Sequence, residues 1–298
     1  GSRGGRETKY EQLAKGSKES IDQLFVPEPP YYLFTIVNDG GQSATYASWP
    51  KLSDLAPFHS SGVITARDDI VMNFDDTPLL ENIALLRDPA QSDANVRAAL
   101  FGTTSGGKYP PGDSRGWKLP AARTIIKKDD HWRERIIDCA YRPFDTRRMY
   151  YAKWIVDWPR TEVVHELARQ DHVALVFPRN TSAGKDWSHV FIATCPIIGR
   201  FFPDSACITY MAPVTSQSSP ITHFKSVNLD SPAIGGSPQE NLSYVYALLH
   251  SPAFRSHYRD QLCRDFPRIP LPGSRELFQA LVPLGTRLVA LHLLDAEA

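Results

Sequence analysis

The stretch Tyr141-Arg142-Pro143-Phe144-Asp145-Thr146-Arg147-Arg148-Met149-Tyr150-Tyr151 alternates arginines with aromatics, and Trp158-Pro159-Arg160 follows before a helical run from Thr161 to Arg169. Such a segment suits a plain core poorly, because each guanidinium must stay wet or find a carboxylate or phosphate. Pro143 and Pro159 set the turns. Asp145 can pair with Arg142 or Arg148, and the tyrosines can form a half-buried wall. Alternatively Arg147, Arg148, Lys153 and Arg160 face phosphates, and an arginine grips a guanine edge through two hydrogen bonds. The density of cations among acid-poor aromatics predicts one basic face holding several of Arg142, Arg147, Arg148, Arg160 and Arg179.

Toward the C-terminus, Thr161 to Gln170 reads as an amphipathic helix with Val163, Val164 and Leu167 inward. His172 to Phe177 is a continuous apolar strand, suited to the middle of a sheet. It runs into Phe177-Pro178-Arg179-Asn180-Thr181-Ser182, and α/β proteins present ligand-binding groups at the C-terminal ends of strands. Arg179 and Asn180 suit guanine and adenine edges respectively; the plain alternative is a solvated loop with a turn-forming Asn. Further strands are predicted at Val190–Thr194, Phe201–Phe202 and Cys207–Met211. Residues 214–240, rich in Ser, Pro and Gly, read as loop. Helices follow at Asn241–His250, Ala253–Cys263 and Arg275–Leu294. In the last, Leu277, Leu281, Leu284, Leu288 and Leu291 recur at steps of four and three, a packing seam, with Pro283 expected to kink it.

Toward the N-terminus, Gly102 to Gly116 holds almost no apolar residues and reads as a loop or a seam between lobes. Trp117 to Ile137 reads as mostly helical, interrupted near Asp129-Asp130. Leu79–Leu86 and Asp93–Phe101 read as short helices, and Val63–Thr65 and Asp68–Phe74 as strands. In Ser60-Ser61-Gly62-Val63-Ile64-Thr65-Ala66-Arg67-Asp68-Asp69 the small residues permit close backbone approach to a partner. Thr65 and Arg67 are candidate contacts there, while Arg67 can instead pair with Asp68 or Asp69. Tyr31–Val37 is an aromatic and β-branched strand followed by the turn residues Asn38 to Gly41. Arg6–Lys15 reads as a short polar helix. Pro29-Pro30-Tyr31-Tyr32 resembles the (N/D)PPY motif that holds an adenine amino group, but Glu28 stands where Asn or Asp is needed. No Gly-rich cofactor turn precedes it, so it reads as the start of a strand.

Composition limits the alternatives. The 298 residues, 42% hydrophobic and 22% charged, can bury a sizeable core. Formal net charge is zero, so any nucleic-acid contact must rest on local clustering of cations. Cys139, Cys195, Cys207 and Cys263 form no CxxC pair, which signals neither a zinc site nor a disulfide framework. No apolar run approaches the roughly 20 residues of a membrane span. His165, Asp171 and scattered serines show no catalytic spacing, and no HExxH, P-loop or GxSxG occurs. Gly1-Ser2 resembles a protease-cleavage scar, which suggests an excised piece of a longer protein.

Four of these elements together resemble the C-terminal target recognition domain of type ISP restriction-modification enzymes and related large adenine-N6 DNA methyltransferases. They are YRPFDTR with the later WPR, the SGVITARD stretch, the PRN element after Phe177, and Arg264-Asp265-Phe266-Pro267-Arg268-Ile269-Pro270-Leu271-Pro272. The last is expected to strap the C-terminal helices onto the body, with Arg268 a secondary phosphate candidate. The likeness runs from Lys9-Tyr10 to Leu291-His292-Leu293-Leu294.

It implies a chain that reads double-stranded DNA through Arg142, Arg147, Arg148, Arg160, Arg179, Asn180, Ser182, Thr65 and Arg67, and performs no chemistry itself. It implies no cofactor or metal in this chain. The parent would carry a nuclease, a helicase-like motor using ATP and Mg, and an S-adenosylmethionine-dependent methyltransferase, acting in phage defence in the bacterial cytoplasm. The order of elements predicts an α+β fold, with a mixed β-sheet body, flanking helices and a C-terminal helical unit. The portions are expected at 1–116, 117–240 and 241–298. The alternative is an interaction module that docks the methyltransferase or helicase part without reading bases.

Overall fold

The computed structural model describes residues 6–16, 26–27, 42–55, 59–104, 107–168, 172–178, 181, 186–202, 207–213 and 236–295. The strand expected at 31–37 and its turn, together with Arg179, Asn180, Ser182 and the 214–235 stretch, lie outside the described residues. Contacts divide the chain into two units, Gly1–Ser48 and Trp49–Ala298. The first holds α1 (Arg6–Lys15), as expected, and α2 (Gln42–Ser48).

The second unit begins with α3 (Leu52–Leu55), β1 (His59–Ser61), α4 (Asp68–Val71) and β2 (Met72–Asn73). Next come α5 (Asp76–Arg87), α6 (Asp93–Phe101) and α7 (Leu119–Ile126). Ser92 caps α6 by accepting a hydrogen bond from the Asn95 amide, and Pro120 lies in the first turn of α7, where its missing N–H costs nothing. Then follow β3 (Ile136–Arg142), β4 (Asp145–Tyr150), α8 (Thr161–Leu167), β5 (His172–Pro178), β6 (Phe191–Ala193) and β7 (Cys207–Pro213). The chain closes with α9 (Pro238–His250), α10 (Pro252–His257), α11 (Arg259–Leu262) and α12 (Arg275–His292). Ser237 and Glu240 form a complete capping box on α9.

The fold is α+β, as predicted. One sheet has the order β1-β7-β5-β6 and the other β2-β4-β3. Strand β5 is interior, as its apolar run required. Every ladder is antiparallel, so the expected mixed sheet is corrected: among the described residues parallel pairing is confined to the isolated bridges Val63↔Ile198 and Ala140↔Ile197. The tight Pro143-Phe144 turn can only return its strand antiparallel, because a parallel pair needs a long crossover.

Three local expectations are corrected. Residues 68–74 form α4 and a two-residue strand, because the Arg67 carbonyl accepts from the amides of Ile70 and Val71 and winds the chain. The helix expected through Ile137 stops at Ile126; a 3₁₀ turn spans Trp132–Glu134, and Ile136 already belongs to β3. Phe201 and Phe202 make a buried bend rather than a strand, their rings 4.9 Å apart.

Strands β3 and β4 stand between two cores. Cys139 and Met149 belong to one core with Val63, Ile83, Trp117, Leu119 and Ile155. Ala140 belongs to the other with Val163, Leu167, Val176, Phe191 and Phe201. Adjacent strand residues point to opposite faces, so one hairpin walls both. Each fully buried Ile or Leu contributes about 1.5–3 kcal/mol.

Helix α12 packs on α9 through Phe278 and Gly285 rather than through its leucine seam. A Cβ on Gly285 would lie 1.8 Å from the Ser243 carbonyl oxygen, so only glycine permits this approach. Leu277, Leu284 and Leu291 remain 48%, 58% and 46% exposed. The helix continues through Pro283.

Candidate nucleic-acid interface

The arginine-aromatic segment is the β3–β4 hairpin. Arg142 faces Asp145 across its mouth, Cys139 faces Arg147, and Asp138 faces Arg148. Phe144 occupies the turn at φ 60°, a left-handed conformation rare for an aromatic residue. Its ring is 59% exposed and meets Phe191 edge-on at 5.0 Å.

Arg147 and Arg148, neighbours on β4, fall on opposite faces of the sheet. Arg147 is gripped by Asp145, with Nε–Oδ1 at 3.0 Å and Nη2–Oδ2 at 2.9 Å, and stacks 3.9 Å over the Tyr141 ring. Arg148 is clamped between Asp76 (Nε–Oδ1 2.6 Å) and Asp138 (Nη1–Oδ1 2.6 Å). The carboxylates raise both guanidinium pKa values above the ordinary one. The predicted basic face therefore does not form around this pair. A guanidinium already paired with carboxylate gains little by exchanging it for phosphate, since each offers the fork two anionic oxygens and the exchange leaves a carboxylate behind unpaired.

Two of the predicted arginines stand differently. Arg142 donates to the Tyr141 carbonyl at 2.6 Å and stacks 4.2 Å over that ring. Arg160 lies 4.9 Å over the Trp158 ring, at φ 48°. Among the described residues neither has an ion-pair partner. The Arg160 carbonyl accepts from the amides of Val163 and Val164, so the start of α8 holds the strained backbone in place.

Trp158 pairs with Ile64 through two backbone hydrogen bonds of 3.1 and 3.0 Å. Trp158 is 56% exposed and Ile64 37%, while Val63 and Thr65 beside Ile64 are 1% exposed. A short ribbon thus carries an exposed indole and aliphatic side chain, with the half-buried Arg160 guanidinium behind the indole, its Nε enclosed and without a hydrogen-bond partner. Sequence reading singled out Arg160 but not its apolar partners; the adjacent WPR and SGVIT motifs carried the signal.

Gly62 does permit a close approach, but to the chain's own backbone: a Cβ there would sit 2.5 Å from the carbonyl carbon and oxygen of Ile198. Thr65 and Arg67 point inward. The Thr65 hydroxyl donates to Asp68. Arg67 is 5% exposed and stacks 3.8 Å over Trp117. It donates to the carbonyls of Thr65 (3.1 Å) and Ile155 (2.9 Å) and to Asp157 (2.8 Å). Its carboxylate partner is Asp157, in place of the expected Asp68 or Asp69, and its guanidinium is enclosed by protein.

The proline-rich element is a strap, as expected. Pro267 accepts from the Leu52 amide at 2.8 Å, Ile269 donates to Pro50 at 3.0 Å, and Asp265 pairs with Lys51 at 2.8 Å. Arg268 donates to the Trp49 carbonyl at 2.6 Å, and Tyr244 of α9 donates to Pro270 at 2.8 Å.

Residues 54–298 match the family described as the Type ISP C-terminal specificity domain. The chain belongs to this family. Solved structures of similar fold include the DrdV–DNA complex, at TM-score 0.61 and 18% identity, over 96% of this chain and 29% of that one. A nuclease-deletion mutant of the Type ISP restriction-modification enzyme LlaGI, in complex with a DNA substrate mimic, matches at TM-score 0.58 and 18% identity, over 83% of this chain and 20% of that one. The ATP-dependent Type ISP restriction-modification enzyme LlaBIII bound to DNA matches at 0.61 and 18%, over 84% and 17%. At such identity the likeness is one of fold, and this specificity domain spans less than a third of each of those proteins. No curated protein matches the chain.

Proposed function

We propose that this chain recognises a specific sequence in double-stranded DNA and directs chemistry carried out by other parts of a longer enzyme. The observation that carries the reading is membership of the specificity-domain family over residues 54–298. The exposed Ile64 and Trp158, with the half-buried Arg160 guanidinium against the indole, support it, because an apolar contact beside a guanidinium without an ion-pair partner suits a nucleic-acid groove. Adenine-N6 methylation, strand cleavage and the use of S-adenosylmethionine, ATP and Mg belong, in this reading, to the longer parent in the bacterial cytoplasm. Arg179 and Asn180 remain proposed base-edge contacts, and Ser182 a proposed DNA contact.

The test is selection from a random duplex pool by the purified chain across a salt series, with calorimetry against S-adenosylmethionine. Enrichment of one sequence supports the reading. Equal binding of all sequences, or none, overturns it. A micromolar Kd for S-adenosylmethionine, about 8 kcal/mol of binding, would place methyl-donor chemistry in this chain. A second reading, docking of the methyltransferase or helicase part of the same parent without base reading, is favoured by the exposed Leu277, Leu284 and Leu291. It predicts pulldown of that part and no sequence enrichment.

A further inference from the structure

Uncommitted positive charge also gathers away from the hairpin. A cavity of about 500 Å³ lies where three elements meet: Arg87 at the end of α5, Lys127 after α7, and Trp132 and Arg133 in the 3₁₀ turn. Trp132 is 6% exposed and gives the cavity a rigid wall. The Arg133 guanidinium lies 4.2 Å over its ring, and that of Arg87 5.3 Å. Arg87 is fixed by donation to the carbonyls of Ile126, at 2.7 Å, and Asp129.

Lys127 and Arg133 are exposed and, among the described residues, have no carboxylate partner. One acid, Asp88, lines the cavity itself; it accepts from the Ala90 amide at 2.8 Å and keeps its charge, so three cations face one carboxylate there. Of the acids nearby, Asp129 binds Arg135 at 2.5 and 3.1 Å and Glu134 meets His131 at 3.2 Å, while Asp130 is exposed. A helix C-terminus favours a cation such as Lys127. It does not account for Arg87 and Arg133 converging on the same hollow from other elements.

We infer that this hollow holds backbone phosphates of the duplex DNA, supplying affinity that is independent of sequence. The inference rests on the reading of the chain as a DNA-recognition module. Phosphate contacts position a protein on DNA without specifying bases, so such a patch complements base contacts made elsewhere on the chain. Lys128, also exposed, extends the charge along the rim.

The test measures binding of the chain and of its Lys127→Ala/Arg133→Ala variant to a random duplex pool, and to the sequence the unmodified chain enriches, from low to high salt. Loss of two phosphate contacts should flatten the slope of log affinity against log salt by about 2 units. Both DNAs should weaken by the same factor. A Lys127→Glu/Arg133→Glu variant should weaken binding further, and circular dichroism checks that each variant is folded. An unchanged slope in a chain that binds DNA overturns the inference and leaves the recognition reading standing. So does a loss confined to the enriched sequence. Absence of any duplex binding by the unmodified chain overturns both.

Discussion

Arg148 and Arg160 carry the same charge in different company. Arg148 sits between two carboxylates, whereas Arg160 rests on an exposed indole with no ion-pair partner among the described residues. Surface ion pairs are worth about 0–1 kcal/mol, so removing Arg148 chiefly releases Asp76 and Asp138. Arg148→Ala is expected to change duplex affinity by no more than about threefold, since 1.4 kcal/mol is tenfold. Arg160→Ala should cost about tenfold, the worth of one charge-assisted hydrogen bond. Fluorescence anisotropy at fixed salt compares the two, and a larger loss at Arg148 would reverse the assignment. Arg67 differs again. Truncating it leaves Asp157 without its partner and the Thr65 and Ile155 carbonyls without a donor, so Arg67→Ala should lower unfolding free energy by about 3–5 kcal/mol. Urea denaturation reads this directly. Arginine density was legible in the sequence, but the partners were not. Arg148 meets Asp76 and Arg67 meets Asp157 only because strands and loops bring distant positions together. Local spacing carries no trace of such pairs.

Helices α9 and α12 meet at two points with opposite tolerances. At Gly285 the backbones touch, and Gly285→Ala should destabilise the chain by about 1–3 kcal/mol through overpacking, or more if Ser243 cannot shift. At the far end His250 and His292 pack 5.1 Å apart, with Arg255 donating to His250 Nδ1 at 3.3 Å. Burial, then the Arg255 charge and His292, lower the His250 pKa from 6.5 to about 4. Between those values the unfolded chain binds more protons than the folded one, so stability rises with pH there. Urea midpoints should therefore fall as pH drops from about 6.5 toward 4. His250→Asn should flatten that dependence, and an unaltered profile would assign it elsewhere. Continuous signals read well at this scale: the apolar run of β5 and the Val163, Val164, Leu167 face of α8 stand as expected. The heptad leucines of α12 misled, because the packing side was set by Gly285 and Phe278, which no apolar periodicity marks. Ile136 and Ile137, in β3, fit a helical spacing equally well. A short apolar run fits either state until its pairing partner is known.

Across the whole molecule, zero net charge means that long-range attraction to DNA is weak and contact must be local. Association with duplex DNA should accordingly be slow for a DNA-binding protein and only modestly faster at low salt, which stopped-flow mixing can check. The β3–β4 hairpin gives a further consequence, since Cys139 faces one core while its neighbour Ala140 faces the other. Chimeras that exchange half of this chain with a relative must carry residues 136–150 intact, and a crossover inside the hairpin leaves both halves facing a foreign surface. Recombination is thereby confined to junctions outside it, whereas point changes at Ile64 and Trp158 leave the shared wall untouched.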